Sequence, residues 1–318
     1  MMTNTALTLG EAITRCNQEL GLSKHTERSY RNALRRFVEY IGVPLETSLS
    51  QLSIDEFIRF PFWLLKQELA KQTMLAYKSG VANFLEWLVL NRYIEITMQE
   101  KSAFTDACKK LARKHEEHLP EILSDEDMAK VIAAARQRVE QGKHGIYAPI
   151  PLRDLAIVLI LNSSGLRVGE ITSLLVGDID LDEHKIQVRG KGDKDEYVLF
   201  DEEAKEALLA YWNTRGYTGD DDPAFARHDR RAGGKHLFMA PNGVRWMTAE
   251  LSELSGVKIH PHAFRHHFAV KVLRKSQNLA MTQDLMRHSS PAVTRKYAVI
   301  SNAERDQAYE KIFNGEKS

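Results

Sequence analysis

Apolar side chains recur at helical spacing along residues 26–41, where Tyr30, Leu34, Phe37 and Ile41 form one stripe and Arg28, Arg31 and Arg35 another. Ser53 followed by Glu56 has the form of a capping box, opening a helix that Pro61 bends or shortens. Met74, Tyr77, Val81, Phe84 and Leu88 repeat at the same period, with Lys71 and Lys78 on a different side. Together these patterns predict that residues 1–118 form a small bundle of four or five helices with outward basic stripes. A single arginine on such a stripe reads first as a solvated face. The functional alternative is phosphate contact, which positions a protein on DNA without reading its sequence.

The pattern then changes. The charged run from Lys109 to Glu117, closed by Pro120, reads as an exposed linker. Ser124 can cap a new helix with Asp127 three residues on, and Leu123 and Met128 can staple its entry. The domain boundary therefore belongs at residues 115–122, giving units 1–118 and 119–318. In the second unit a helix is expected from Arg153 to Asn162, broken at Ser163-Ser164-Gly165, with another from Arg167 to Leu175. Ile186-Gln187-Val188 and Tyr197-Val198-Leu199 read as short strands around a hairpin turn at Gly190-Lys191-Gly192-Asp193. Residues 214–236, polar and basic at Arg227 to Arg231, read as a mobile loop. Helices resume with Pro261 at a first helical position. The fold class is mainly α with a small β-sheet, an α+β chain without internal repeats.

Composition narrows the function classes. A chain of 318 residues suffices for two compact domains, and 43% hydrophobic residues can build their cores. No apolar run, Leu155 to Leu161 included, approaches the roughly 20 residues of a membrane helix. Met1 to Gly10 lacks the charged start and apolar run of a signal peptide, so a soluble, cytoplasmic protein is expected. Cys16 and Cys108 lack CxxC spacing and read as reduced, packed thiols. The net charge of +1 does not itself point to nucleic acid, so any such partner depends on local clustering.

Candidate chemistry comes from a few positions. Metal-free phosphodiester cleavage needs an in-line nucleophile, cations around the equatorial oxygens and an acid for the leaving alkoxide. Arginine suits the clamp because its planar fork can grip two phosphate oxygens. Arg167 follows a glycine turn at a helix start, with Glu170 one turn on to orient it. Lys191 sits on a hairpin tip, where a lysine either solubilises the turn or reaches out as a proton donor. His262 and Arg265 share one helical face, while Phe264, Phe268 and Val272 form a separate apolar stripe. His262 and His266 also have zinc-pair spacing, but no Glu lies between them as in HExxH and no Cys is near, so no metal is expected. Ser289-Ser290-Pro291 is a turn and cap signal that puts Tyr297 on a short helix nine residues past His288. Such a tyrosine is either half-buried packing or a nucleophile.

The segments GLRVGE (165–170), RGKGDK (189–194), HAFRHHFAV (262–270) and RHSSPAVTRKY (287–297) together resemble the tyrosine recombinase, or phage integrase, family. Their order and separations are similar to the family's, and the helical N-terminal half resembles its SAM-like core-binding domain. The resemblance implies a C-clamp-like architecture in which that domain and a mixed catalytic domain close on DNA. It implies that Arg167 and Arg265 clamp the scissile phosphate, with Lys191 the general acid and His262 the proton acceptor for the tyrosine. It further implies that His288 supports the phosphate, Glu170 orients Arg167 and Tyr297 is the nucleophile. The implied reaction passes through a 3′-phosphotyrosyl bond and a Holliday junction without ATP, metal or other cofactor. The implied assembly is a homotetramer on double-stranded DNA with an inverted-repeat core site, monomeric or weakly dimeric when free. Arg28, Arg31, Arg35, Lys71 and Lys78 are the candidate DNA contacts.

The chain departs from the family pattern in three places. Arg287 stands where glycine is common and Val299 where histidine is frequent. The interval from Met247 to His262 is short, which brings into question a helix that commonly lies against DNA. The basic segment Arg227 to Arg231 is a candidate substitute for it. The tail from Ser301 to Phe313 can dock on a neighbour or fold back. Two other readings of the same residues are a type IB topoisomerase-like or telomere-resolving enzyme and a catalytically silent DNA-binding protein.

Overall fold

The computed structural model describes residues 7–22, 24–113, 122–142, 145–189, 195–216, 219–233, 235–287 and 309. The chain divides into two compact units, Met1–His118 and Leu119–Ser318.

Among the described residues the first unit holds five helices: α1 (Leu9–Glu19), α2 (Lys24–Ile41), α3 (Ile54–Leu64), α4 (Lys71–Leu90) and α5 (Met98–Arg113). Capping boxes open two of them, Thr8 with Glu11 at α1 and Ser53 with Glu56 at α3. Pro61 lies in the last turn of α3, which ends at Leu64. The core is aromatic. Phe37, Phe57, Phe60 and Phe84 are fully buried, with the Phe37 and Phe57 rings 4.7 Å apart. α2 packs on α4 where Gly80 meets Ala33; a Cβ on Gly80 would come within 2.5 Å of the Ala33 Cβ. One expectation fails here. The charged run beginning at Lys109 is not all linker, because α5 continues to Arg113 with Leu111 buried in the core. Packing of that single leucine outweighs the polar composition around it.

The second unit begins with α6 (Asp125–Gln141), capped by Ser124, whose hydroxyl accepts from the Asp127 amide at 3.0 Å. Leu123 and Met128 are both buried at its entry. Then come α7 (Ile150–Ser164), the single turn α8 (Val168–Ile171), and the strands β1 (Ile179–Asp180), β2 (Lys185–Arg189) and β3 (Asp195–Leu199). They are followed by α9 (Glu202–Arg215), α10 (Pro241–Ser255), α11 (Pro261–Ser276) and α12 (Leu279–Leu285). The strands form one antiparallel sheet in the order β1-β2-β3, with Ile179 opposite Ile186 and Ile186 opposite Val198. Ile186, Val188 and Val198 point into the core while Tyr197 and Leu199 face out, the alternation a one-sided sheet requires.

α7 is the central element, packed by α6, α9 and α11. With the turn before it, the stretch Gly145–Ser164 reaches membrane-span length at a mean hydropathy of 1.4, longer and more apolar than its sequence suggested. Its residues 156–161 are all buried in the protein core, and Arg153 and Asp154 are buried beside them, which identifies it as a core helix.

Two other expectations are corrected by tertiary hydrogen bonding. The helix foreseen from Arg167 to Leu175 stops at Ile171. The Val176 and Gly177 amides donate to the Asp222 and Asp220 carbonyls, and the Ala224 amide donates to Leu174, so this backbone serves a long-range contact instead. For the same reason residues 219–233 are not a mobile loop. Ala224, Phe225 and Ala226 are buried, Arg227 bonds across to Leu237, and residues 230–232 form a 3-10 turn capped by Asp229. The short interval before His262 still accommodates a helix of four turns, because α10 starts at Pro241.

Candidate active site

The site is assembled where α7 ends. Gly165 terminates α7 in the left-handed conformation, φ +63°. A Cβ there would also come within 2.5 Å of the Phe268 ring on α11, so both backbone and packing call for glycine. Leu166 and Val168 are buried on either side of Arg167, which leaves the Arg167 side chain 43% exposed. Arg167 is the N-cap of α8. Its amide donates to Glu170 Oε2 at 2.7 Å and its Nη1 to Glu170 Oε1 at 2.7 Å.

Arg265 enters from α11, where Phe264 and Ala269 anchor the helix in the core. Its guanidinium is buried, donating Nη1 to the Gly165 carbonyl and Nη2 to the Met286 carbonyl. Arg167 donates Nη2 to the next carbonyl, that of Arg287, at 3.2 Å. Two arginines 98 positions apart therefore converge on consecutive carbonyls of the turn after α12. His262, in the first turn of α11, belongs to the same neighbourhood. Crowding by protein atoms, then the charges of His260, Arg265, Arg245 and Arg167, hold its pKa below the ordinary histidine value.

Of the residues singled out from sequence, Arg167, Glu170, His262 and Arg265 are thus brought together. Lys191, His288 and Tyr297 lie outside the described residues, as do the hairpin turn and the tail apart from Tyr309. β2 and β3 pair up to Arg189 opposite Asp195, immediately before and after the segment that contains Lys191. Arg28, Arg31 and Arg35 are exposed on α2, where Arg31 pairs with Glu27 at 2.5 Å and Arg35 with Glu39 at 3.8 Å. Lys71 and Lys78, both on α4, are half-buried rather than fully outward, and the charge of Lys78 acts on Cys108 of α5. Arg227 is paired with Asp229 at 2.6 Å. Among the described residues no three His, Cys, Asp or Glu side chains are grouped to hold a metal ion.

Residues 121–304 match the family model described as "Phage integrase family", which covers more than half of the chain. The chain belongs to the phage integrase family of tyrosine recombinases. Residues 17–92 match the phage integrase N-terminal SAM-like domain. The chain is 29% identical to a tyrosine recombinase XerC of Thermodesulfovibrio yellowstonii, over 98% of this chain and 97% of that one. It is 26% identical to the XerC of Vibrio cholerae, over 92% and 88%. Among solved structures, the Tn1549 transposon integrase in complex with transposon right-end DNA matches with a TM-score of 0.72 at 14% identity, covering 96% and 99%. The XerH recombinase bound to a palindromic difH substrate matches at 0.70 and 18% identity, covering 96% and 85%. At such identities these structures speak for the two-domain fold alone. As a family member this protein is a site-specific DNA recombinase, a DNA strand transferase.

The structure also places near the site residues that sequence reasoning passed over or noted only as departures. Arg287 buries its guanidinium against Glu170 at 2.7 Å, although a lone arginine after a helix carries no sequence signal. Arg245, on the exposed side of α10, lies near enough for its charge to act on His262. Trp246 beside it is 75% exposed, a cue that an apolar-periodicity reading overlooks.

Proposed function

We propose that this recombinase cuts and rejoins DNA by transesterification through Tyr297. The phenol oxygen attacks the scissile phosphorus, the bond to the 5′ oxygen breaks, and a 3′-phosphotyrosyl ester and a free 5′ hydroxyl result. The 5′ hydroxyl of a partner strand then attacks that ester, expels the tyrosine and passes the strands through a Holliday junction. The ester conserves the bond energy, so the cycle is chemically balanced without ATP. Arg167 and Arg265 clamp the equatorial oxygens, Glu170 aims Arg167, Lys191 protonates the leaving 5′ oxygen, and His288 supports the phosphate. A free phenol, with a pKa near 10, is a weak nucleophile at neutral pH. His262, its pKa lowered by its surroundings, is neutral there and able to accept the phenol proton.

The observation that carries this reading is the convergence of Arg167 and Arg265 on the Met286 and Arg287 carbonyls. That turn leads directly into His288 and Tyr297. The helical first unit, with Arg28, Arg31, Arg35, Lys71 and Lys78, serves as the core-binding domain. The working assembly is a homotetramer on inverted-repeat sites, acting in the cytoplasm. A suicide-substrate assay tests the chemistry. Tyr297→Phe is expected to abolish the denaturant-resistant DNA adduct while leaving binding largely intact, and cleavage should persist in EDTA. An adduct that survives Tyr297→Phe overturns the assignment. Relaxation of supercoiled DNA lacking any specific site would point to a topoisomerase-like activity.

A further inference from the structure

We propose that Arg287 is a positioning residue of the strand-transfer site, gripping one oxygen of Glu170 and so fixing the carboxylate that aims Arg167. The inference rests on the assignment of Arg167 to the scissile phosphate and goes beyond it.

The placement of Arg287 is specific. It follows α12 with φ +50°, the left-handed region that favours glycine. A non-glycine residue is retained there only when its surroundings hold it. They do so at both backbone and side chain. The Arg287 amide donates to Asp284, and its carbonyl accepts from Arg167. Its side chain is 6% exposed, with Nη2 2.7 Å from Glu170 Oε2 and Nη1 3.9 Å from Glu196 Oε2 on β3. Its Nε is buried without a hydrogen-bond partner among the described residues. A long cation on a turn normally reaches into water. This one is folded inward onto the carboxylate that orients Arg167.

The result is a closed ring of contacts. Glu170 Oε1 accepts from Arg167 Nη1, and Oε2 accepts from both the Arg167 amide and Arg287 Nη2. The Arg287 carbonyl returns the connection to Arg167. Glu170 is thus held on two sides, and Arg167 cannot swing away without breaking the ring.

The ring also sets which protonation state Glu170 keeps. Burial raises its pKa, but bonds and charge from Arg287 and Arg167 outweigh burial and leave it lowered. Among the described residues, charged groups nearby besides the arginines include Asp178, which lines the same cavity with Gln187 of β2, and Glu196 of β3, which faces Arg287. Both are acidic and neither can replace the guanidinium. Without Arg287, its hydrogen bond and charge no longer oppose burial, so Glu170 takes up a proton at higher pH than in the parent, and Arg167 then loses its charged partner. A residue that merely packed would give no pH-dependent effect.

The test measures adduct formation on a saturating suicide substrate from about pH 5 to about pH 8.5. Arg287→Gly, which suits the left-handed backbone, should move the acid limb to higher pH. Arg287→Lys, which keeps a cation at this place, should show little of that shift. Adding Glu170→Gln to Arg287→Gly should remove the displaced limb, since His262 still titrates in the same pocket but the carboxyl no longer does. Arg287→Gln against Arg287→Lys makes the same comparison should the glycine variant be poorly folded. A profile parallel to the parent's, unchanged or uniformly lowered, overturns the proposal. Tyr297→Phe and Arg167→Lys run alongside. Should they retain adduct formation, the strand-transfer assignment fails. Should they lose it while Arg287→Gly stays parallel, only the role of Arg287 fails.

Discussion

The core helix α7 has an arginine cluster at each end, and the two are built on opposite plans. Towards its N-terminus, Arg138 donates to Asp154 at 2.9 Å and to Glu250 at 2.9 Å. Arg153 grips the other Asp154 oxygen at 2.7 Å and donates to the Ala226 carbonyl. Two guanidinium groups meet two carboxylates, and Arg138, Arg153 and Asp154 are almost wholly buried. At the C-terminal end, among the described residues, the guanidinium groups of Arg167 and Arg287 share Glu170, with Glu196 only at 3.9 Å from Arg287, while that of Arg265 donates to the Gly165 and Met286 carbonyls. Arg167 stays open to solvent. A matched, sealed cluster holds its own elements together and offers nothing to a ligand. A cluster with surplus positive charge, held by neutral carbonyls and open on one side, is preorganised for an anion.

The contrast can be broken from either end. The largest expected effect is on stability at the closed end. Asp154→Ala leaves buried Arg153 with only the Ala226 carbonyl and Arg138 with only Glu250, and should cost about 3–5 kcal/mol in chemical denaturation, with adduct formation by the folded fraction unchanged. Replacing Arg138, Arg153 and Asp154 together by apolar residues of similar volume should return stability to near the parent value. If it does not, the cluster does more than fill space.

Next comes the open end. Arg265→Lys supplies one compact ammonium in place of a fork that reaches Gly165 and Met286 on two sides. Adduct formation should fall by about 10²–10³-fold, equivalent to about 3–4 kcal/mol, with a smaller stability loss. Equal stability losses for Arg265→Lys and Asp154→Ala, with catalysis intact in both, would show the two ends to be alike.

The smallest effect concerns protons. His228 lies beside the closed cluster, bonded to the Tyr211 hydroxyl at 3.0 Å. Burial, then the charges of Arg153 and Arg215, push its pKa down to about 4. The unfolded chain therefore binds a proton there that the folded chain refuses. Its contribution is fully present above about pH 6.5 and is lost as pH falls towards 4. Since His228 is only partly buried, about 1–2 kcal/mol is expected over that interval. His228→Gln should flatten the denaturation midpoint against pH. An unaltered slope would place the proton uptake elsewhere.

Much of the frame was legible in the chain because it depends on neighbours in sequence. The Ser53 and Ser124 caps, the stripe ending in Leu88, the Gly165 stop and the Pro261 start are all decided within a turn or two. Errors arose where distant backbone intervened. α8 was cut to one turn, and Ala224 to Ala226, just before the basic residues, were drawn inward, by the same hydrogen bonds between residues 174–177 and 220–224. Of the site, sequence found Arg167, Glu170, His262 and Arg265 because each sits in a recognisable segment. It recorded Arg287 only as an oddity, since its purpose depends on Glu170, 117 positions away.

By itself the sequence determined which residues can clamp a phosphate, where helices begin and end, and which faces are apolar, all properties of side-chain type and local spacing. Only the tertiary structure decided which arginines neutralise carboxylates and which keep charge to spare. That distinction depends on how many acceptors lie within about 3 Å of each guanidinium after folding, and on whether water can still reach it.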